Sequence, residues 1–154
     1  MERLYHIVNS LPPIANAFGG TVVTPPINMK NWKHCSFLIQ CGVGAVGTAR
    51  ITVEACDNIA ASNTIAIPFY YQECIAADIF GPITRTADLS GFLTAATSNK
   101  VYKVEVDDAM LSSTGYGYIR VKSAEQAVGV IAGGVIAVLT EGRFESEIPD
   151  TVLV

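Results

Sequence analysis

The chain has 154 residues, enough for one domain with a sizeable core. Half of them are hydrophobic and only 16% are charged, with a net charge of −4 and an isoelectric point near 5.0. The acidic balance argues against a nucleic-acid binder, which needs a basic face, and the low charge implies apolar surface covered by further copies or by a partner.

Residues 1–28 differ from the remainder. The stretch NSLPPIANAFGGTVVTPPINM carries Pro12-Pro13, Gly19-Gly20 and Pro25-Pro26, which oppose both helix and central strand. It also carries Leu11, Ile14, Phe18, Val22 and Val23, too many apolar groups for a disordered linker. The expectation is an extended arm lying on another surface and anchored by Leu11, Ile14, Phe18 and Val22.

The next stretch, KHCSFLIQC, alternates. Cys35, Phe37, Ile39 and Cys41 share one face, with His34, Ser36, Leu38 and Gln40 on the other, which reads as a strand over 33–41. Gly42-x-Gly44-x-x-Gly47 then spells a dinucleotide-binding loop. That motif requires a helix after the glycines, whose N-terminus faces the phosphates. The glycines lead instead into TARITVEACD, where Ile51, Val53 and Ala55 alternate with Arg50, Thr52 and Glu54. Period two means a strand over 48–56, so the glycines are expected to form the turn of an antiparallel hairpin, with Gly44 in the turn and no nucleotide bound.

Further strands are expected near 64–72, 82–86, 91–95, 100–107, 115–122 and 127–140, separated by turn-rich pieces. VYKVEVD points Tyr102, Val104 and Val106 inward and Val101, Lys103 and Glu105 outward. DDAMLSS after it suits one helical turn capped by Asp107. GYGYIRVK aligns Tyr116, Tyr118, Arg120 and Lys122 on one exposed face. AVGVIAGGVIAVL is too short to span a bilayer in a helix, which takes about 20 residues. Its glycines and β-branched residues favour a strand covered on both faces, one by the core and one by a subunit contact through Val130, Ala132 and Val135. The closing TEGRFESEIPDTVLV reads either as a frayed end or as a second arm docked through Ile148 and Val152–Val154.

Chemistry is sparse. Cys35, Cys41, Cys56 and Cys74 do not have zinc spacing; their even number leaves disulfides open, and free thiols in a reducing cytosol are the default, since the first residues lack the pattern of a signal peptide. Of the two histidines, His6 lies in the arm and His34 has no nucleophile motif to serve. Asp107-Asp108 and Asp57-Asn58 lack the alternating oxygen spacing of a calcium loop. No cofactor, metal or catalytic residue is expected, and no membrane or small-molecule substrate as partner.

INMKNWKHCSFLIQCGVGAVGTARITVEACDN resembles the small virion proteins of tailed-phage and prophage head-gene clusters. There, a Met-x-x-Trp/Tyr lead, a Phe-x-Ile-Gln-x-Gly strand and a strand ending in Glu-x-Cys/Ser-Asp recur. The matching residues are Met29, Trp32, Phe37, Ile39, Gln40, Gly42, Val53, Glu54, Cys56 and Asp57. The similarity continues through PFYYQEC, NKVYKVEVDDAMLSSTGYGYIRVKS and the last strand, where Gly142, Arg143 and Phe144 stand in place of the family's Gly-Ala-Arg-Tyr. It covers roughly 27–145.

The expected architecture is all-β: an antiparallel β-sandwich over 29–145, jelly-roll-like, with the arm at 1–28 and a tail at 146–154. The resemblance implies a head decoration (cement) protein on the capsid surface, made in the bacterial host cytoplasm. Its partners would be the major capsid protein and itself, as a homo-oligomer with a trimer preferred. Two other classes compete. One is a tail or receptor-binding β-domain that reads a glycan with an aromatic platform of Trp32, Tyr70, Tyr71, Tyr116 and Tyr118. The other is a cell-wall hydrolase, which needs two facing carboxylates.

Overall fold

The computed structural model describes residues 5–42, 46–86, 89–96 and 99–143. Among these, alternating segments form strands that pair antiparallel into two sheets. Sheet A contains β1 (Tyr5–Ile14), β4 (Trp32–Cys41), β7 (Tyr70–Ala76), β8 (Ile79–Phe80), β9 (Thr84–Arg85), β11 (Lys100–Asp107) and β13 (Gly133–Gly142). Its order is β1-β13-β4-β11-β7-β8, with β9 also on β7. Sheet B contains β2 (Thr21–Val23), β3 (Ile27–Asn28), β5 (Thr48–Cys56), β6 (Thr64–Ile67), β10 (Phe92–Leu93) and β12 (Tyr118–Ala127). Its order is β10-β5-β12-β2, with β3 on β12 and β6 on β5.

The core lies between the sheets. Cys35, Phe37 and Ile39 from β4, Val104 and Val106 from β11, and Val135, Ala137 and Leu139 from β13 meet Ile51, Val53, Ala55, Ile119 and Val121 of sheet B, all buried. The inward and outward sets of 33–41, 48–56 and 100–107 are those the alternation predicts. Tyr71 stacks on Phe92 at 4.2 Å between ring centroids, and Tyr102 lies 5.0 Å from Phe92, filling one end of the core. The Tyr102 hydroxyl accepts from Ala95 N at 2.7 Å, and burial pushes its pKa up to about 12.

Where a strand leaves a sheet, a buried threonine holds the departing chain. Thr24 N donates to Val121 O, and Val121 N donates to Thr24 Oγ1. Thr86 makes the same reciprocal pair with Phe69, and Thr94 with Ala49. Each hydroxyl stands in for the carbonyl that the turning strand no longer presents.

Four expectations need correction. First, the segment read as an arm belongs to the sandwich. β1 pairs with β13 from Tyr5↔Thr140 to Ile14↔Gly133, and β2 and β3 pair with β12. The prolines permit this because they sit at the exposed end of an outer strand, beyond the register shift at Asn9/Leu11, and between β2 and β3. Phe18 is buried in the core.

Second, the glycine stretch is no hairpin. β4 lies in sheet A and β5 in sheet B, so the strands on either side of the glycines do not pair with each other. Third, the strand expected over 64–72 divides at Pro68, with β6 in sheet B and β7 in sheet A. Fourth, β12 runs on to Ala127 and β13 begins only at Gly133, so Val130 and Ala132 lie in the connection between the sheets. The helical turn is a 3-10 turn, Asp108–Leu111. Asp107 occupies its N-cap position without capping it by side chain.

Losing Phe18 or the strands before Lys30 therefore removes part of the core. Phe18→Ala should lower unfolding stability by about 3–5 kcal/mol in a urea titration. A chain starting at Lys30 should show no cooperative unfolding transition in the same assay.

Candidate functional site

Strand register builds a polar cluster on the outer face of sheet A. β11 pairs with β4 so that Asp107 lies opposite His34, Glu105 opposite Ser36 and Lys103 opposite Leu38. His34 sits between two carboxylates: Nδ1 is 2.7 Å from Asp107 Oδ1, and Nε2 is 2.5 Å from Glu105 Oε2. The Ser36 hydroxyl, 3.1 Å from His34 Nε2, donates to Glu105 Oε2 at 2.7 Å, and Lys103 Nζ pairs with Glu105 Oε1. Hydrogen bonding to Glu105, reinforced by Asp107, outweighs burial and raises the His34 pKa from 6.5 to about 9. Burial alone would raise the Glu105 carboxyl, but hydrogen bonds from His34, Lys103 and Ser36 hold it at about 2.

Ser36, His34 and Asp107 thus spell hydroxyl, imidazole and carboxylate, the order of a nucleophilic triad. The protonation state works against that use. At neutral pH the imidazole is a cation with both nitrogens engaged, so it has no lone pair for a serine proton or for a metal ion. The Ser36 proton already points to Glu105. The cluster cross-links β4 to β11 and borders a shallow recess of about 310 Å³ edged by Tyr70, Gln72 and Ile83. Both outward sets were readable from alternation; the pairing that joins them was not.

The outer face of sheet B carries a second ionic group. Glu54, almost fully buried, is held by Arg120 Nη2 at 2.7 Å and Lys122 Nζ at 3.1 Å. Two of the aligned cations of GYGYIRVK are therefore engaged with a carboxylate. The proposed aromatic platform does not assemble. Trp32 is buried, Tyr71 and Tyr116 pack against the core, and Tyr70 and Tyr118 belong to different sheets.

The seven candidate contact residues separate. Phe18 and Val135 are core residues, Leu11 packs against the core, and Val22 and Ala132 are half-buried. Phe18 and Val135 are thus unavailable as contacts; in β13 the outward positions are Ile136 and Val138, both half-buried. Ile14 and Val130 are exposed, at 52% and 59%. They belong to one end of the sandwich, where Ile14 pairs with Gly133 and Ala17 N donates to Ile131 O. Val46 and Val128 are exposed at the same end, giving an apolar tip. The expected tail contacts Ile148 and Val152–Val154 lie outside the described residues, as does Gly44.

Backbone proximity explains two glycines here. A Cβ on Gly47 would come within 2.5 Å of Gly129 O, and one on Gly129 within 2.6 Å of Gly47 N. The last glycine of the nucleotide-like spelling serves chain packing, and β5 succeeds it where a phosphate site needs a helix. Gly47→Ala should lower stability by about 1–3 kcal/mol in thermal or urea unfolding.

The His34 cluster generates a pH signature. Its folded pKa is raised, so its stabilisation is complete below about pH 6.5 and disappears as pH rises through about 9. Glu105 is depressed, so its contribution is present above about pH 4.5 and lost as pH falls toward 2. The stability difference between the wild-type protein and His34→Gln should therefore be largest near pH 5–6.5 and shrink above pH 9, as read from denaturant midpoints across pH.

No protein-family model matches the chain, and no curated protein sequence is significantly similar to it. Among solved structures, the crystal structure of SPBc2 prophage-derived protein YomS is similar, with a TM-score of 0.52 and 10% sequence identity. The match covers 92% of this chain and 96% of that one, so the two share an overall fold.

Proposed function

We propose that this chain is a structural protein of a phage virion, which decorates the capsid exterior and bridges major capsid protein subunits as a homo-oligomer. The observation that carries the reading is the apolar tip formed by Ile14, Val46, Val128 and Val130, exposed at one end of the sandwich. Leaving four aliphatic side chains in water is unfavourable unless a partner covers them. The fold shared with a prophage-derived protein and the resemblance to head-cluster virion proteins support the same reading. The His34 and Glu54 clusters fit it too, as they stitch neighbouring strands together.

Binding to purified shells lacking the protein tests this. Val128→Asp combined with Val130→Asp alters two exposed positions and should leave the fold intact by circular dichroism. Losing two buried valines should weaken shell occupancy on the order of a hundredfold in co-sedimentation. Equal occupancy by the double variant and the wild-type protein would refute the contact, and no binding by the wild-type protein would refute the function.

A further inference from the structure

We propose that β1 is a pairing edge, and that a second copy of this chain docks there strand to strand, antiparallel about a two-fold axis. Among the described residues, the other strands at sheet margins (β2, β3, β6, β8, β9 and β10) have only two to four residues, whereas β1 has ten. One side of β1 bonds to β13, and no described strand pairs with the other. Its sequence, YHIVNSLPPI, contains no Asp, Glu, Lys or Arg. Natural edge strands are normally short or guarded by charge, because a bare row of N–H and C=O groups templates further pairing. Within Tyr5–Ile14 the guards are the register shift after Asn9 and Pro12-Pro13, which confine pairing to Tyr5–Leu11.

The neighbourhood favours the same occupant. Tyr5 and Ile7 are 55% and 58% exposed on the outer face of sheet A. Register places them beside Val138 and Thr140, and Leu38 and Ile136 continue the apolar strip on β4 and β13. The carboxylates and the lysine of the His34 cluster lie on β11, beyond β4, and His34 itself is separated from Tyr5 by Thr140 of β13. In a protein of charge −4, two copies meet with least repulsion where neither carries charge, and β1 with the outward row Ile136, Val138 and Thr140 of β13 is such a place. A two-fold register also sets the outward row Tyr5, Ile7, Asn9 against the same row of the partner, aromatic and β-branched groups together. Seven residues per strand make a small interface, so pairing needs high local concentration, as on a repeating surface. Such pairing extends the self-association proposed for the virion protein and needs no capsid. It gives a two-fold contact where the resemblance implies a trimer.

Sedimentation velocity of the full chain, from low micromolar to millimolar, tests it together with amide hydrogen exchange at both extremes. A dimer should grow with concentration while amides within Tyr5–Leu11 become slower to exchange. Ile7→Lys and, as a second variant, Tyr5→Lys should each weaken association about tenfold or more without changing the melting temperature, since each replaces an apolar contact of the shared outward row with a charge. A monomer at every concentration would overturn the proposal. So would association that persists in both lysine variants with β1 amides unprotected; that outcome places the self-contact elsewhere and leaves the capsid reading standing.

Discussion

The two sheets depend on one crossing near the start of the chain. β1 completes sheet A, β2 and β3 complete sheet B, and the residues between them carry Ala17 and Phe18 into the core. The Phe18 ring fits because Gly133 has no side chain: a Cβ there would sit 2.8 Å from Phe18 Cε2 and 2.0 Å from Gln40 O. Main-chain bonds fix the approach on both sides. Ala17 N donates to Ile131 O, Glu125 N donates to Gly20 O, and the Glu125 carboxylate accepts from Gly20 N and Gly129 N. Those two amides hold the Glu125 carboxyl below the usual carboxylate range. A segment that reads as an appendage is thus the joint of the sandwich.

Low overall charge does not mean an even scatter of charges. On each sheet, the outer face concentrates them around one carboxylate, Glu105 on sheet A and Glu54 on sheet B, each met by two cationic side chains. Both carboxylates link neighbouring strands across the ladder: Glu105 on β11 with His34 on β4, and Glu54 on β5 with Arg120 on β12. Grouping leaves other regions poor in charge. The valine-rich tip, where only the Glu125 carboxylate bonds to Gly129 N, and the β1 edge of sheet A are the result among the described residues, and they give a small domain with few charges specific places to be covered.

Much of the fold was legible where the two faces of a strand differ. Cys35–Cys41, Thr48–Cys56 and Lys100–Asp107 alternate cleanly, and their inward residues are the core. The glycine spelling resolved for the same reason, since Ile51, Val53 and Ala55 demand a strand. Partners were not legible, because hydrogen-bonded neighbours lie far apart in sequence: β4 sits between β13 and β11 and never pairs with β5, the next strand in the chain. β1 was hidden by Pro12-Pro13, whose effect depends on whether the strand is outer or central. Val135 was assigned to the wrong side because apolar residues occupy both faces of β13, so alternation does not say which face turns inward. The His34 cluster needed two facts at once, outward parity on β4 and pairing with β11.

The pairing of β1 with β13 also sets the order in which the molecule can be completed. β1 ends at Ile14, and its ladder partner begins at Gly133. At roughly 5–20 residues per second, a ribosome needs on the order of ten seconds to deliver that partner after β1 has been made. During that interval an uncharged, Pro-guarded strand waits without its ladder, and sheet A cannot close around Phe37 and Ile39. Contacts of such long sequence separation slow folding and lengthen the exposure of sticky segments. Pro12 and Pro13, which disguise the strand in the sequence, limit how much of it is available to other nascent chains before β13 arrives.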